Sequence, residues 1–262
     1  MDGHCLGPVA AMNPTYIKIR ERARQIAAGL PLPAFYLDFP EKAERSRRCL
    51  ENNPTVSKLR RFVSEHTDNT LGHGLPHAEK VTLDAGIIML VECEKIGKTA
   101  ARTDALLIMI QCAGLLHDVR RREKNHAACG AEKAREILKD YPLPGGSSKA
   151  ICLAIRNHEA FQPITKSPDR ESALLSDCLY DADKFRWGPD NFTHTVWKMV
   201  SFADIPLPVF IAKYPGAMQR MAGISKTFRT DTGKKYGPEF IEQGLEIGRQ
   251  LLAFLNEDTN FE

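Results

Sequence analysis

The chain contains no apolar run long enough to span a membrane: its longest strongly apolar stretch, Ala105 to Leu116, is about 12 residues, short of the roughly 20 that a crossing helix needs. It has little net charge. Its 36 lysines and arginines against 33 aspartates and glutamates give a formal +3, so neither a nucleic-acid groove nor a membrane-hugging face is written into the overall balance. Its 7 cysteines, at 5, 49, 93, 112, 129, 152 and 178, are odd in number, scattered and never in a C-x-x-C pair. That excludes a disulfide framework and a thiolate zinc site, and it fits reduced thiols. The N-terminal stretch lacks a basic segment followed by an apolar core of roughly 7–15 residues, so no secretory signal is expected and the reading is a cytoplasmic protein. Repeats of about 20–50 residues and low-complexity tracts are also missing, which removes solenoids and arrays.

What remains is 262 residues, 43% hydrophobic and 26% charged, enough for one large domain with embellishments. Residues 1–53 carry Pro8, Pro14, Pro31, Pro33 and Pro40 and a basic stretch from Lys42 to Arg48, predicting an N-terminal extension of irregular structure with short helices. From there the periodicity is helical. Val56, Leu59 and Val63 form one stripe, Val81, Ala85 and Ile88 a second, and Leu106, Ile110, Ala113 and Leu116 a third. Ala127 to Leu138 predicts a fourth helix, stopped by Pro142 and a Pro144-Gly145-Gly146 turn, and a fifth follows, capped by Ser147 or Ser148 and carrying Ile151, Ile155 and His158 on one face. Glu171 to Phe185 reads as a sixth. Residues 191–262 read as a C-terminal extension, with a proline-rich stretch and a last helix marked by Ile241, Leu245, Gly248, Leu252 and Leu255. Period-two alternation is absent, so the expected class is all-α, a bundle with a core over residues 54–190.

Eight histidines are the feature with chemical content. His117-Asp118 ends an apolar helix, where an ionisable couple is costly to bury unless a divalent cation compensates it. Adjacent helical residues point about 100° apart, so both reach one centre only at a terminal turn, which Val119 and Arg120-Arg121-Arg122 supply. Upstream, Pro76 predicts a helix starting near His77. His73 is four residues earlier, and residue 74 is glycine where a zinc metalloprotease needs glutamate, so that chemistry is excluded. Asp183 shares a stripe with Leu175 and Leu179 and therefore needs a partner. Asp181 lines up with Asp177 and Lys184 on the polar side and is the second choice.

In order, His77 in H-A-E-K-V, His117-Asp118 in L-L-H-D-V and Asp183 in D-A-D-K-F resemble the HD superfamily of metal-dependent phosphohydrolases, over roughly residues 70–190. His126 in N-H-A-A-C-G-A and His158 in A-I-R-N-H-E match the histidines that many members add for a second metal. The G-Y-P signature and paired histidines of the cyclic-dinucleotide branch are missing, and Lys80 stands where arginine is commoner. The resemblance implies a helical bundle and one or two ions held by His77, His117, Asp118, Asp183, His126 and His158, with Asp118 able to bridge a pair. Imidazole mixed with carboxylate suits Mn, Fe, Co, Ni or Zn better than Mg. Asp118, Lys184 and Arg122 are the expected catalytic groups, and His73 and Arg121 the expected substrate contacts. The implied reaction is hydrolysis of a phosphomonoester or phosphodiester of a small nucleotide-like substrate. A diiron oxygenase of the same superfamily, or a catalytically silent metabolite-binding member, is the alternative. The basic Lys226, Arg229, Lys234 and Lys235 read as a solvated face, Glu79 and Glu159 as surface residues, and His4, His66 and His194 receive no role.

Overall fold

The computed structural model describes residues 12–67, 71–143 and 145–257; His4, Pro8, Pro144 and most of the N-terminal stretch read for a leader lie outside them. Among the described residues the chain is all-helical without strands. None of the helices is long and apolar enough to cross a membrane.

The N-terminal extension is more regular than its prolines suggested. It forms α1 (Pro14–Ala28), α2 (Ala34–Asp38) and α3 (Pro40–Asn52), followed by α4 (Pro54–His66). Pro14, Pro40 and Pro54 each open a helix, where the missing N–H is one that no intrahelical acceptor would have met. The prolines therefore start helices here.

At the centre lie α5 (Leu75–Lys95) and α6 (Ala100–Leu116), buried over most of their circumference as helices apolar on all sides should be. A Cβ at Gly114 would lie 2.8 Å from the Thr82 Cα, so the two helices cross with their backbones almost touching. This brings His117, at the C-terminal boundary of α6, beside His77 in the first turn of α5. Two helices, α7 (His126–Ile137) and α8 (Ser147–Arg156), pack on each other, and α8 also meets α6 and α9 (Arg170–Phe185). Gly146, at φ 83°, flanks the start of α8; neither Ser147 nor Ser148 caps it.

The C-terminal extension contributes α10 (Val196–Phe202), α11 (Leu207–Ile224) and α12 (Asp231–Glu257), with one π-helical turn at Asn191–Thr195. The proline-rich stretch is the start of α11, and Pro215 lies inside that helix. Asp181 is fully buried, against the solvated position expected for it, because α12 covers its face. Its carboxylate accepts from the Arg229 and Thr230 backbone N–H groups, both at 2.8 Å, and from the Thr230 hydroxyl at 2.7 Å. The Glu92 carboxylate accepts from the Thr232 N–H at 3.0 Å. Two core carboxylates thus meet the positive end and orphan donors of α12. An aromatic cluster ties the extensions together: Phe185 of α9 stacks on Phe240 of α12 with centroids 4.3 Å apart, and Phe35 of α2 packs edge-on against Phe185 at 5.1 Å.

Candidate metal centre

Asp118 is the hub, and its two carboxylate oxygens face different partners. Oδ2 looks toward His73 Nδ1 at 2.8 Å, His117 Nε2 at 3.4 Å and His77 Nε2 at 3.8 Å. Oδ1 looks toward His158 Nε2 at 3.5 Å, Arg121 at 3.6 Å and His126 Nε2 at 3.7 Å. Asp183 lies on the first side, its Oδ1 3.4 Å from His77 Nε2 and 3.7 Å from His117 Nε2. The sequence-predicted His77, His117, Asp118, Asp183, His126 and His158 are therefore brought together, and His73 joins them.

Backbone carbonyls set the imidazole tautomers. His117 Nδ1–H donates to the Gly114 carbonyl at 2.7 Å, and His158 Nδ1–H donates to Ile155 at 2.6 Å. Each ring then presents Nε2 to the centre. Arg121, which can only donate, reaches His126 Nε2 at 2.9 Å, so the proton of a neutral His126 sits on Nδ1, 3.8 Å from Glu159. Burial pushes His77 and His126 down to about 4, holding both neutral at pH 7. Burial also opposes charge on His117, but the Asp118 carboxylate beside it wins and raises its pKa. Asp118 and Asp183 resist burial in turn: the His117 charge holds Asp118, and Lys184 holds Asp183, well below the ordinary carboxylate range.

This donor set fits a divalent cation. Three groups of ligand atoms, His73-His77-Asp118, His77-His117-Asp183 and His117-Asp118-His158, each lie within 4.8 Å of one another. Asp118 Oδ1 is buried without a hydrogen-bond partner, a state that a carboxylate oxygen in a dry site does not keep without a compensating charge. His77 Nε2 and His117 Nε2 approach to 3.2 Å, a contact that two lone pairs tolerate only with a proton or a cation between them.

The centre forms one end of a cavity of about 410 Å³. Lys184 lines it, and its Nζ donates to Asp183 Oδ2 and lies 5.2 Å from the Tyr180 ring centroid and 5.9 Å from that of Trp187; it does not pair with Asp181. Arg121 lines it too. Arg122 stacks over Phe202 at 5.6 Å and lines a smaller cavity of about 200 Å³ on the other side of Asp118. Four residues missed by the sequence reading shape the larger cavity: Glu159, Phe161, Trp187 and Arg220. Only Glu159 had a signal, its place next to His158. Arg229 stacks 3.5 Å over Tyr180 and donates to the Asn157 carbonyl, holding the loop after α8 to the C-terminal extension. Of the histidines given no role, His66 stacks on Phe62 and His194 meets the Thr193 hydroxyl.

An all-helical bundle that buries imidazoles and carboxylates around one shared aspartate is an arrangement that could hold a divalent cation. Residues 63–188 match the family model described as HD domain, so that segment is an HD domain. No curated protein and no solved structure matches it significantly.

Proposed function

We propose that the protein hydrolyses a phosphoester of a small, nucleotide-like substrate with divalent transition-metal ions, which His77, His117, Asp183, His126 and His158 would hold around the shared Asp118. The observation that carries this reading is the division of the Asp118 carboxylate, with His77, His117 and Asp183 toward one oxygen and His126 and His158 toward the other. Bound there, divalent cations supply a water of lowered pKa and positive charge against the phosphoryl oxygens. The protein's own groups do the rest. Lys184 steadies Asp183 and, with Arg121 and Arg220, makes the cavity attractive to an anion. Phe161, Trp187, Met199 and Met221 give it an apolar wall suited to a flat organic group. Phe161 is 60% exposed and sits at φ 62°, a conformation costly for a bulky side chain and consistent with a role at the cavity mouth. Hydrolysis joins the water oxygen to phosphorus, breaks the bond to the organic oxygen and transfers a proton to that leaving oxygen.

The test is protein stripped of metal, reloaded with Mn, Co or Ni, and assayed for phosphate or monoester release from nucleotides and generic phosphoesters. Turnover that Asp118→Ala lowers by more than about 100-fold is expected. No release from any substrate with any metal, in both wild type and variant, would rule the reading out.

A further inference from the structure

We infer that His73 is a metal ligand on the Oδ2 side of Asp118, in place of the substrate contact expected from the sequence. The inference rests on the metal-centre reading above. Both ring nitrogens of His73 are buried and, among the described residues, Nε2 has no hydrogen-bond partner. Nδ1 faces Asp118 Oδ2 at 2.8 Å, and the side chain is only 11% exposed. A histidine that merely shaped its turn would spend a ring nitrogen on a backbone group, as His117 and His158 do. A histidine that met substrate would keep a nitrogen open to the cavity. The His73 ring borders the cavity, but neither nitrogen is exposed to it and neither is spent on a backbone group; Nδ1 instead faces the Asp118 carboxylate, and a buried Nε2 without a partner is a net cost that the rest of the polypeptide does not offset.

The chain around His73 is built to hold it there. Gly72 has φ +77°, and a Cβ on it would come within 3.0 Å of the Thr195 Cα, so the loop is pressed against the π-helical turn of the C-terminal extension. The His73 ring then packs edge-on to His77 with centroids 4.7 Å apart. Its donor atom shares one cluster with those of His77 and Asp118. Counting His73, the Oδ2 side offers His73, His77, His117, Asp183 and Asp118 itself, whereas the Oδ1 side offers His126, His158 and Asp118. Two cations would therefore be held unequally, the tighter one on the Oδ2 side and the more open one beside Arg121.

Cobalt(II) serves as both ligand and probe. Calorimetric titration of metal-free wild type should resolve a tight and a weaker class of site, and His73→Asn should weaken the tight class by more than the roughly 10–100-fold that loss of an outer-shell partner costs. In cobalt-loaded wild type, solvent-exchangeable, hyperfine-shifted imidazole N–H resonances should number five, for His73, His77, His117, His126 and His158. His73→Gln should remove one. The wild-type count needs no variant to fold, and melting of the metal-free variants reports any loss of structure separately. Cobalt affinity and resonance count unchanged in both variants, or four resonances in wild type, would overturn the inference while leaving the metal centre standing. Failure of wild type to take up cobalt would sink both.

Discussion

The residue with the most consequence for chemistry is His117, because the Asp118 carboxylate beside it outweighs burial and favours a proton at the place a cation would take. Its pKa is raised, chiefly by Asp118 working against burial, while His77, 3.2 Å away, is pushed down to about 4 by burial. A proton shared between the two Nε2 atoms must leave when a cation arrives. Between the ordinary histidine value of about 6.5 and the raised value of His117, cation uptake should therefore release about one proton, and affinity should rise with pH. Calorimetry in two buffers of different ionisation heat measures this; no release near neutral pH would contradict it. The same shifts shape stability without metal. His77 and His126 are lowered, so the folded state loses stability as pH falls from about 6.5 to about 4, where the unfolded chain takes up protons first. His117 is raised, so its contribution is present below about 6.5 and is lost as pH rises through its folded value. The single-residue reading of the sequence succeeded where burial could be inferred from a stripe, as for Asp183 beside Leu175 and Leu179. It failed for Asp181, whose polar-looking face is covered by α12, an element about fifty residues later in the chain that helical periodicity cannot place.

At the scale of elements, α5 and α9 must be fixed relative to each other, since one carries His77 and the other Asp183. Near Gly114 shape fixes α5 against α6, and between α5 and α9 a partly buried ionic network does the holding. Arg186, directly after α9, pairs with Asp84 of α5 and donates to the Tyr36 hydroxyl of α2 at 3.0 Å, and its other arm reaches Asp190 at 2.5 Å, which also takes Lys80 of α5 at 2.5 Å. Burial raises Asp84 to about 6 even beside Arg186, a sign of how dry this junction is. Without Arg186, Asp190 keeps Lys80, but the Asp84 carboxylate stays buried with only the Tyr36 hydroxyl, so Arg186→Met should cost about 3–5 kcal/mol in denaturant unfolding with little change in slope. A loss below about 1 kcal/mol would show that packing alone holds the helices. The core helices were legible because each combined a 3.6-residue apolar stripe with a recognisable start or stop. The helix α11 was not: the sequence shows only a proline-rich stretch at Pro206 and Pro208, which fall at the helix start, while Pro215 is tolerated inside it. In the N-terminal extension the prolines misled for the same reason, being helix starters at Pro14 and Pro40.

For the whole molecule, the two extensions complete the HD segment. Residues 63–188 supply the donor atoms, while Val196, Met199, Ala217, Arg220 and Met221 from beyond it close the cavity over them. The Asp181 and Glu92 contacts to α12 and the Phe35, Phe185 and Phe240 cluster lock those outer segments to the helices that bear the ligands. This division explains why the cluster of histidines and aspartates was legible in the sequence and the cavity over it was not: cavity walls are made of ordinary apolar residues brought together only by folding. The measurement that bears most directly on the centre is metal per chain, by elemental analysis of protein loaded with Co or Mn and freed of excess, for wild type and Asp118→Ala. Two ions per wild-type chain, falling sharply in a variant that still unfolds cooperatively, is the predicted result; a wild-type chain that retains none, or a variant that retains as many as wild type, would contradict it.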